Sequence, residues 1–269
     1  LLQIHRATVL KNGQKVLDNL TFEVPAGEHT AILGPNGAGK SSLIRLIARQ
    51  DYPLAHADGT PVVTILGQAA WNVFDLRPRL GIVSADLQLA YLTRTLTGRT
   101  KGLEAVLSGF FASFGLFQHQ TITQAMRQQA QTALDLMEAG HLAAKPLEHM
   151  STGELRRIMI ARSLAPDPQA LILDEPTTGL DFLARHRFLE TLRQVARQGK
   201  TIILVTHHIE EIFPEIQRVI LMHHGRLLTA GDKAEVLTST RLSSMFGAPV
   251  RVHLEQGYFR ASCPPPEAT

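Results

Sequence analysis

The feature that most limits what this chain can fold into is the run Gly34-Pro35-Asn36-Gly37-Ala38-Gly39-Lys40-Ser41, which fits the pattern G-x-x-x-x-G-K-[ST]. It follows a short aliphatic run, Thr30-Ala31-Ile32-Leu33, and leads into a helical pattern from Lys40 to about Arg49. Strand, glycine loop and helix in that order begin a βα unit. The glycines let successive backbone N–H groups turn inward around phosphate oxygens, and the helix N-terminus adds partial positive charge. Lys40 is expected to reach β/γ-phosphates and Ser41 to offer its hydroxyl to Mg²⁺. The plainer alternative is a glycine-rich turn at a helix start with a surface lysine.

Further aliphatic runs at Val62 to Leu66, Leu80 to Ser84, Ala170 to Leu173 and Thr201 to Val205 end in polar or turn residues. Alternating with helical patterns, they predict an α/β core with a parallel sheet. The first thirty residues differ. Thr8-Val9-Leu10 and Val16-Leu17 flank Asn12-Gly13, which predicts a hairpin with a primed turn, and Phe22-Glu23-Val24 ends another short strand. Between Ser84 and Leu171 strand patterns vanish, and Met126, Ala130, Ala133, Leu134 and Met137 recur at helical spacing, predicting an inserted helical lobe. Phe182 to Arg197 is amphipathic, with Phe188, Leu189, Leu192, Val195 and Ala196 on one face. Gln217 to Ala230 predicts a hairpin turning at His224-Gly225, followed by a short helix and a last strand near Val250 to Leu254.

Composition agrees with this organisation. The 269 residues are 44% hydrophobic and 19% charged, enough for a large core with an appended lobe and too aliphatic for disorder. The net charge of +3 contains no run of like charges, so no nucleic-acid stripe is expected. Cys263 is the single cysteine; it sits in a proline-rich tail, so an intrachain disulfide and a thiolate metal cluster are excluded and a reducing compartment is favoured. The first residues show no basic stretch followed by an apolar one, so no signal peptide is expected. The longest uncharged apolar stretch, Ala105 to Phe117, falls short of the roughly 20 residues a membrane helix needs, so it is expected to be a helix of the lobe and any membrane relation to be peripheral.

Three more motifs carry chemistry. Ala170 to Leu173 runs into Asp174-Glu175-Pro176; beside the phosphate loop, Asp174 would stand near Mg²⁺ and Glu175 where it can polarise an attacking water. Ser151-Thr152-Gly153-Glu154 precedes a helix with Leu155, Ile158 and Met159 on one face. It reads equally as a capping box and as a phosphate-binding helix start, and the two are compatible. Thr206-His207 ends the strand from Thr201, at the side of an open sheet where ligands bind, although a lone histidine there is as often structural. The pairs His207-His208 and His223-His224 are not expected to hold a transition metal.

Together and in this order, these motifs resemble the ATP-binding-cassette (ABC) family of ATPases, from about Leu1 to Val252. Ser151 to Glu154 stands where the family's signature stands, Gly179-Leu180-Asp181 where its D-loop stands, and His207 where its H-loop stands. The resemblance implies an α/β P-loop NTPase of the ABC-ATPase fold. A RecA-like parallel-sheet core and an N-terminal antiparallel β subdomain would occupy approximately 1–85 and 166–252, an inserted α-helical subdomain approximately 86–165, and a C-terminal tail 253–269.

It also implies head-to-tail pairing. ATP and Mg²⁺ would lie between the loop Gly34, Pro35, Asn36, Gly37, Ala38, Gly39, Lys40, Ser41 and Ser42 of one copy and Ser151, Thr152, Gly153 and Glu154 of the other. Lys40, Glu175 and His207 would be catalytic, with Glu175 the general base or water-positioning carboxylate and His207 holding the γ-phosphate and the water. Asp181 would communicate across the dimer, and Ser41, Asp174 and Gln88 would hold Mg²⁺. Three positions depart from the family's commonest pattern. Leu10 stands where an adenine-stacking aromatic is expected, Thr152 replaces a glycine, and Ala85 occupies the Q-loop position, leaving Gln88 as the nearest glutamine.

Val106-Leu107-Ser108-Gly109-Phe110-Phe111 and Leu242-Ser243-Ser244-Met245-Phe246-Gly247 look like importer subunits for metal chelates, vitamins or molybdate-type anions. The implied partners are a second copy or a related ATPase, an integral membrane permease at the cytoplasmic face of the inner membrane and, through the permease, a solute-binding protein; nucleic acid is not expected. Phe110, Phe111, Phe114 and Phe117 are either a permease-docking face or the filling of the lobe. The altered Q-loop keeps open a soluble, non-transport ABC ATPase acting on the ribosome or nucleic acid, against which a single cassette without heptads argues. An ATP-binding module without turnover is a third reading, opposed by the intact set Lys40, Asp174, Glu175 and His207.

Overall fold

The computed structural model describes residues 1–95 and 100–264; Leu96 to Arg99 of the expected helical lobe, and the proline-rich tail from Pro265, lie outside the described residues. The strands are β1 (Leu2–Lys11), β2 (Gln14–Val24), β3 (Thr30–Leu33), β4 (Val63–Ile65), β5 (Leu80–Val83), β6 (Ala170–Asp174), β7 (Thr201–Thr206), β8 (Arg218–His223), β9 (Arg226–Asp232), β10 (Arg251–Glu255) and β11 (Tyr258–Ser262). The helices are α1 (Lys40–Ile47), α2 (Val73–Leu76), α3 (Ala85–Thr95), α4 (Gly102–Leu107), α5 (Gln124–Leu136), α6 (Thr152–Leu164), α7 (Phe182–Arg197), α8 (Lys233–Val236) and α9 (Ser239–Phe246). The chain divides into two compact units, Leu1–Ala70 with Ile202–Thr269, and Trp71–Thr201.

In the first unit β1 and β2 form the expected hairpin, with Asn12 and Gly13 both at positive φ as a primed turn requires. The two short strands expected between Val16 and Val24 are one strand, interrupted by a bulge at Asn19 (φ 52°), while β1 carries a bulge of its own at Arg6 (φ 44°), on the other side of the Ala7–Leu20 pair. Threonine hydroxyls absorb the amide groups the bulges release: Arg6 N donates to Thr21 Oγ1 at 2.8 Å and Asn19 N to Thr8 Oγ1 at 3.1 Å. Alternate residues Leu2, Ile4, Ala7 and Val9 on β1 and Leu20, Phe22 and Val24 on β2 are buried.

The run at Val62 to Leu66 was expected in the parallel sheet. Instead β4 pairs antiparallel with β1. A three-residue aliphatic strand satisfies its backbone groups on either kind of neighbour, so its composition carries no information about which one it meets. Next to this sheet in sequence, β3 lies between β7 and β8 and parallel to both, with β9 antiparallel to β8. Thr30, Ala31, Ile32 and Leu33 are all buried, as a parallel strand covered on both faces demands.

Residues 253–262, expected within a tail, belong instead to the hairpin of β10 and β11. Its turn is again primed, with Gln256 at φ 49° and Gly257 at φ 84°, and Phe259 is buried. Serines of α9 fasten it: Val250 N donates to Ser243 Oγ at 2.8 Å and Val252 N to Ser239 Oγ at 2.9 Å.

His29 joins the strands of this unit at their start. Its buried Nδ1 accepts from Ile202 N at 3.1 Å, and its carbonyl accepts from the amides of Gln217 and Arg218. Burial lowers its pKa below the ordinary 6.5. The neutral ring therefore contributes stability that is complete above about pH 6.5 and is lost as pH falls through the lowered folded-state value. His29→Asn, which keeps an acceptor and removes the titration, is expected to flatten the fall in denaturation midpoint between pH 8 and pH 5. Midpoints measured against denaturant across that range check it, and parallel profiles for both proteins would remove His29 as the cause.

In the second unit β5 and β6 are parallel. Helix α7 buries Phe188, Leu189, Leu192, Val195 and Ala196, the face expected from its periodicity. Helix α5 buries Ala130, Ala133 and Leu134, with Met137 buried just beyond it. The stretch Ala105 to Phe117 is not one helix. Helix α4 stops at Leu107 and the chain turns, because Ser108 and Ser113 are bound from α6 by Arg162, whose Nε donates to Ser108 Oγ at 3.2 Å and Nη2 to Ser113 O at 2.9 Å. The guanidinium also lies 4.8 Å from the Tyr91 ring centroid, a cation–π contact. Phe110, Phe111 and Phe114 are half-buried, while Phe117 is exposed and stacked on His119.

Candidate functional site

The phosphate loop connects β3 to α1 within the first unit. Gly34 N donates to Thr206 O, Ala38 N to Pro35 O at 3.1 Å, and Gly225 N to Ala38 O at 3.0 Å. Gly34 is obligatory because a Cβ there would run into the carbonyl oxygen of Met222, so the loop can leave β3 only by passing tightly over β8. Gly39, the residue before α1, has φ 96° and supplies no side-chain cap, and the first turn holds no acidic residue. A helix start without its own acceptor leaves orphan N–H groups for an incoming anion. Lys40 is buried (5% exposed), with Nζ donating to Gly34 O at 2.8 Å and Pro35 O at 3.1 Å, while Ser41 is exposed. The ammonium is thus folded back over the loop it would serve.

His207 follows β7 in the same unit and is half-buried, with its ring centroid 3.9 Å from that of His208. What shapes this turn was not visible in the sequence. Thr206 Oγ1 donates to Glu211 Oε2 at 2.6 Å and accepts from His208 N at 2.9 Å, and both Thr206 and Glu211 are fully buried. The only signal for Glu211 is its place between Ile209 and Ile212, two buried residues of a short helical turn.

In the second unit β6 buries Ala170 to Leu173 completely and delivers Asp174 and Glu175 at its half-buried end. Glu175 has φ 47°, the left-handed region that a residue with a Cβ rarely adopts. Asp181 is the N-cap of α7, accepting from Ala184 N at 2.8 Å. Gln88 is half-buried on the first turn of α3, whose start Ser84 caps through Leu87 N at 3.3 Å.

The capping box at α6 is present. Ser151 Oγ accepts from Glu154 N at 3.3 Å, and Glu154 Oε2 accepts from Ser151 N at 2.7 Å. Lys145 Nζ, a partner the sequence did not announce, binds both Glu154 oxygens at 2.8 Å; these hydrogen bonds from Lys145 and Ser151 hold the carboxyl below the ordinary carboxylate range. Glu154 is therefore committed to the helix start. Ser151 and Thr152 are exposed, and the Ser151 hydroxyl, which accepts, retains its hydrogen to donate to an anion.

Ser41 in the first unit, and Asp174 and Gln88 in the second, each carry a hard oxygen of the kind Mg²⁺ takes when it keeps substrate phosphates and water in its shell. Among the described residues no group of three or more His, Cys, Asp or Glu could hold a metal ion by itself.

A glycine loop opening an uncapped helix, together with a buried strand ending in adjacent carboxylates, defines a nucleotide-binding protein of the P-loop class. The family model described as "ABC transporter" matches residues 17–178. An uncharacterized ABC transporter ATP-binding protein of Bacillus subtilis (strain 168), YlmA, is 35% identical, covering 94% of this chain and 93% of its own. The hemin import ATP-binding protein HmuV of Pseudomonas aeruginosa is 30% identical over 96% and 98% of the two chains. A Nod factor export ATP-binding protein I of Sinorhizobium fredii is 38% identical over 80% of this chain and 58% of its own. Among solved structures, cbiO1 from Clostridium perfringens, part of the ABC transporter complex cbiONQ, superposes with a TM-score of 0.70 at 26% identity, covering 90% of this chain and 92% of that one. The chain belongs to the ABC transporter family: it is an ATP-binding subunit and an ATPase, with the P-loop ABC-ATPase fold.

Proposed function

We infer that this subunit works as a head-to-tail pair that drives a separate membrane permease importing a metal chelate, vitamin or oxyanion. The observation that carries the reading is the pair of prepared helix starts: α1, uncapped behind its glycine loop, and α6, whose exposed Ser151 keeps a hydroxyl hydrogen to donate. One chain offers each once, so two copies arranged head to tail complete two identical ATP sites. Lys40 is assigned to the β/γ-phosphates, Ser151 and Gly153 to the partner's nucleotide, and Ser41, Asp174 and Gln88 to Mg²⁺, which when bound supplies Lewis-acid polarisation of the phosphates. Glu175 directs the attacking water, and His207, on the turn that the Thr206–Glu211 and His208–Thr206 hydrogen bonds shape, contacts the γ-phosphate. Asp181, while capping α7, faces the second copy. The boundaries assigned to the subdomains are approximately 1–85 with 166–252 for the core and β subdomain, and 86–165 for the helical subdomain.

Import is favoured because the hemin importer subunit is matched over almost its whole length, whereas little more than half of the Nod factor exporter subunit is covered. Among the described residues no helix is long and apolar enough to cross a membrane; peripheral attachment at the cytoplasmic face is assigned from the likeness to ABC transporter ATP-binding subunits. Extraction of membranes in mild detergent and capture of the tagged chain are expected to recover an integral membrane protein, whose identity would point to the solute. Recovery from the soluble fraction alone would overturn the transport role, and nucleic-acid stimulation of the ATPase would point to a non-transport protein instead.

A further inference from the structure

Between the carboxylates of β6 and the cap of α7 the backbone makes two overlapping turns. Thr178 N donates to Glu175 O at 3.2 Å, and Leu180 N donates to Thr177 O at 3.0 Å. Those turns use alternate carbonyls, leaving Pro176 O and Thr178 O without a partner from within the turns. Both go to one side chain. Arg156 Nη1 donates to Pro176 O at 2.8 Å and to Thr178 O at 2.6 Å. Arg156 stands on α6, in the turn of helix that follows the Ser151–Glu154 cap, and is only 8% exposed.

The segment so gripped carries the one unusual backbone conformation of the carboxylate strand, Glu175 at φ 47°. Such a conformation in a residue with a Cβ persists where the surroundings over-determine it. The bond to Pro176 O is buried and the one to Thr178 O is part-buried; a buried carbonyl must be paired, and a permanently charged, planar guanidinium holds both carbonyls from one rigid group. The clamp therefore resists relaxation of Glu175 into the ordinary β region, which would swing its carboxylate away.

We propose that Arg156 is a positioning residue for ATP hydrolysis: from the signature helix it locks the turn that sets Glu175, without touching the nucleotide itself. This rests on the reading of Glu175 as the water-directing carboxylate. It ties the orientation of Glu175 to the position of the α6 N-terminus in the same chain.

The test uses the full chain, with steady-state ATP turnover, thermal melting and a mutant cycle. Arg156→Ala is expected to lower kcat about tenfold or more with KM within about twofold, and Arg156→Lys, which keeps a charged donor, to restore part of the loss. In a Glu175→Gln background Arg156→Ala is expected to lower the residual turnover by no more than about twofold, since the carboxylate it positions is already gone. A folded Arg156→Ala protein with parental kcat, or a full tenfold loss repeated on Glu175→Gln, would overturn the proposal. If Arg156→Ala does not fold, Arg156→Lys decides: reduced kcat at unchanged KM and melting temperature supports the clamp, and parental kcat refutes it. Parental turnover in Glu175→Gln alone refutes the reading of Glu175, a separate result that needs no change at Arg156.

Discussion

Replacing Glu175 by glutamine is expected to cut ATP turnover by more than tenfold while ATP-dependent pairing of two copies persists. The substitution keeps the shape and the half-buried place at the end of β6 but removes the group that can take a proton from water. General-base assistance is worth roughly 10²–10⁴-fold, so the loss falls on kcat. The left-handed backbone at residue 175 tolerates Gln as it tolerates Glu, because the strain belongs to the Cβ that both carry. Phosphate release and size-exclusion chromatography with and without ATP check the two halves separately. Unchanged turnover would remove Glu175 from the mechanism, and lost pairing would show that the substitution damages the fold.

Lys40→Met is expected to weaken ATP binding by roughly 10- to 150-fold, the equivalent of about 1.5–3 kcal/mol for a hydrogen bond to a charged group. Met keeps most of the length of the side chain and removes the ammonium. In the structure that ammonium is already buried against Gly34 O and Pro35 O, so a nucleotide phosphate bound by the loop as proposed would meet a positive charge that is largely desolvated and held in place. The loop keeps its backbone bonds from Ala38 N to Pro35 O and from Gly225 N to Ala38 O, but Gly34 O and Pro35 O lose the ammonium, so the fold is expected to persist with a melting temperature lowered by a few degrees. Titration with a fluorescent nucleotide measures the affinity. Parental affinity in Lys40→Met would exclude Lys40 from the phosphate site.

Much of this was legible in the chain because it is local. Asn12-Gly13 and His224-Gly225 turn where their dipeptides say, since left-handed backbone at both residues is a property of those residues. Helix α7 starts at an aspartate cap and buries the five residues its period selects. The capping box at Ser151 is a four-residue device and appears as written. What failed depended on neighbours distant in sequence. Val63 to Ile65 found β1 instead of the parallel sheet, and Ala105 to Phe117 was broken into turns by Arg162 from a helix some fifty residues later. Gln256-Gly257 turns a hairpin within the expected tail, because a glutamine accepts positive φ when the strands on either side pair.

The same division runs through the site. By itself the sequence singled out the groups proposed to meet phosphate and to direct the attacking water, because G-x-x-x-x-G-K-S, Leu-Asp-Glu and Thr-His place donors and acceptors on consecutive backbone units. Only the tertiary structure decided what surrounds them: Met222 beneath Gly34, Glu211 on the Thr206 hydroxyl beside His207 in sequence, Lys145 across Glu154 and Arg156 over the turn after Glu175. A buried carbonyl or carboxylate needs a partner wherever one can be brought, and sequence spacing does not say which distant side chain the packing will bring.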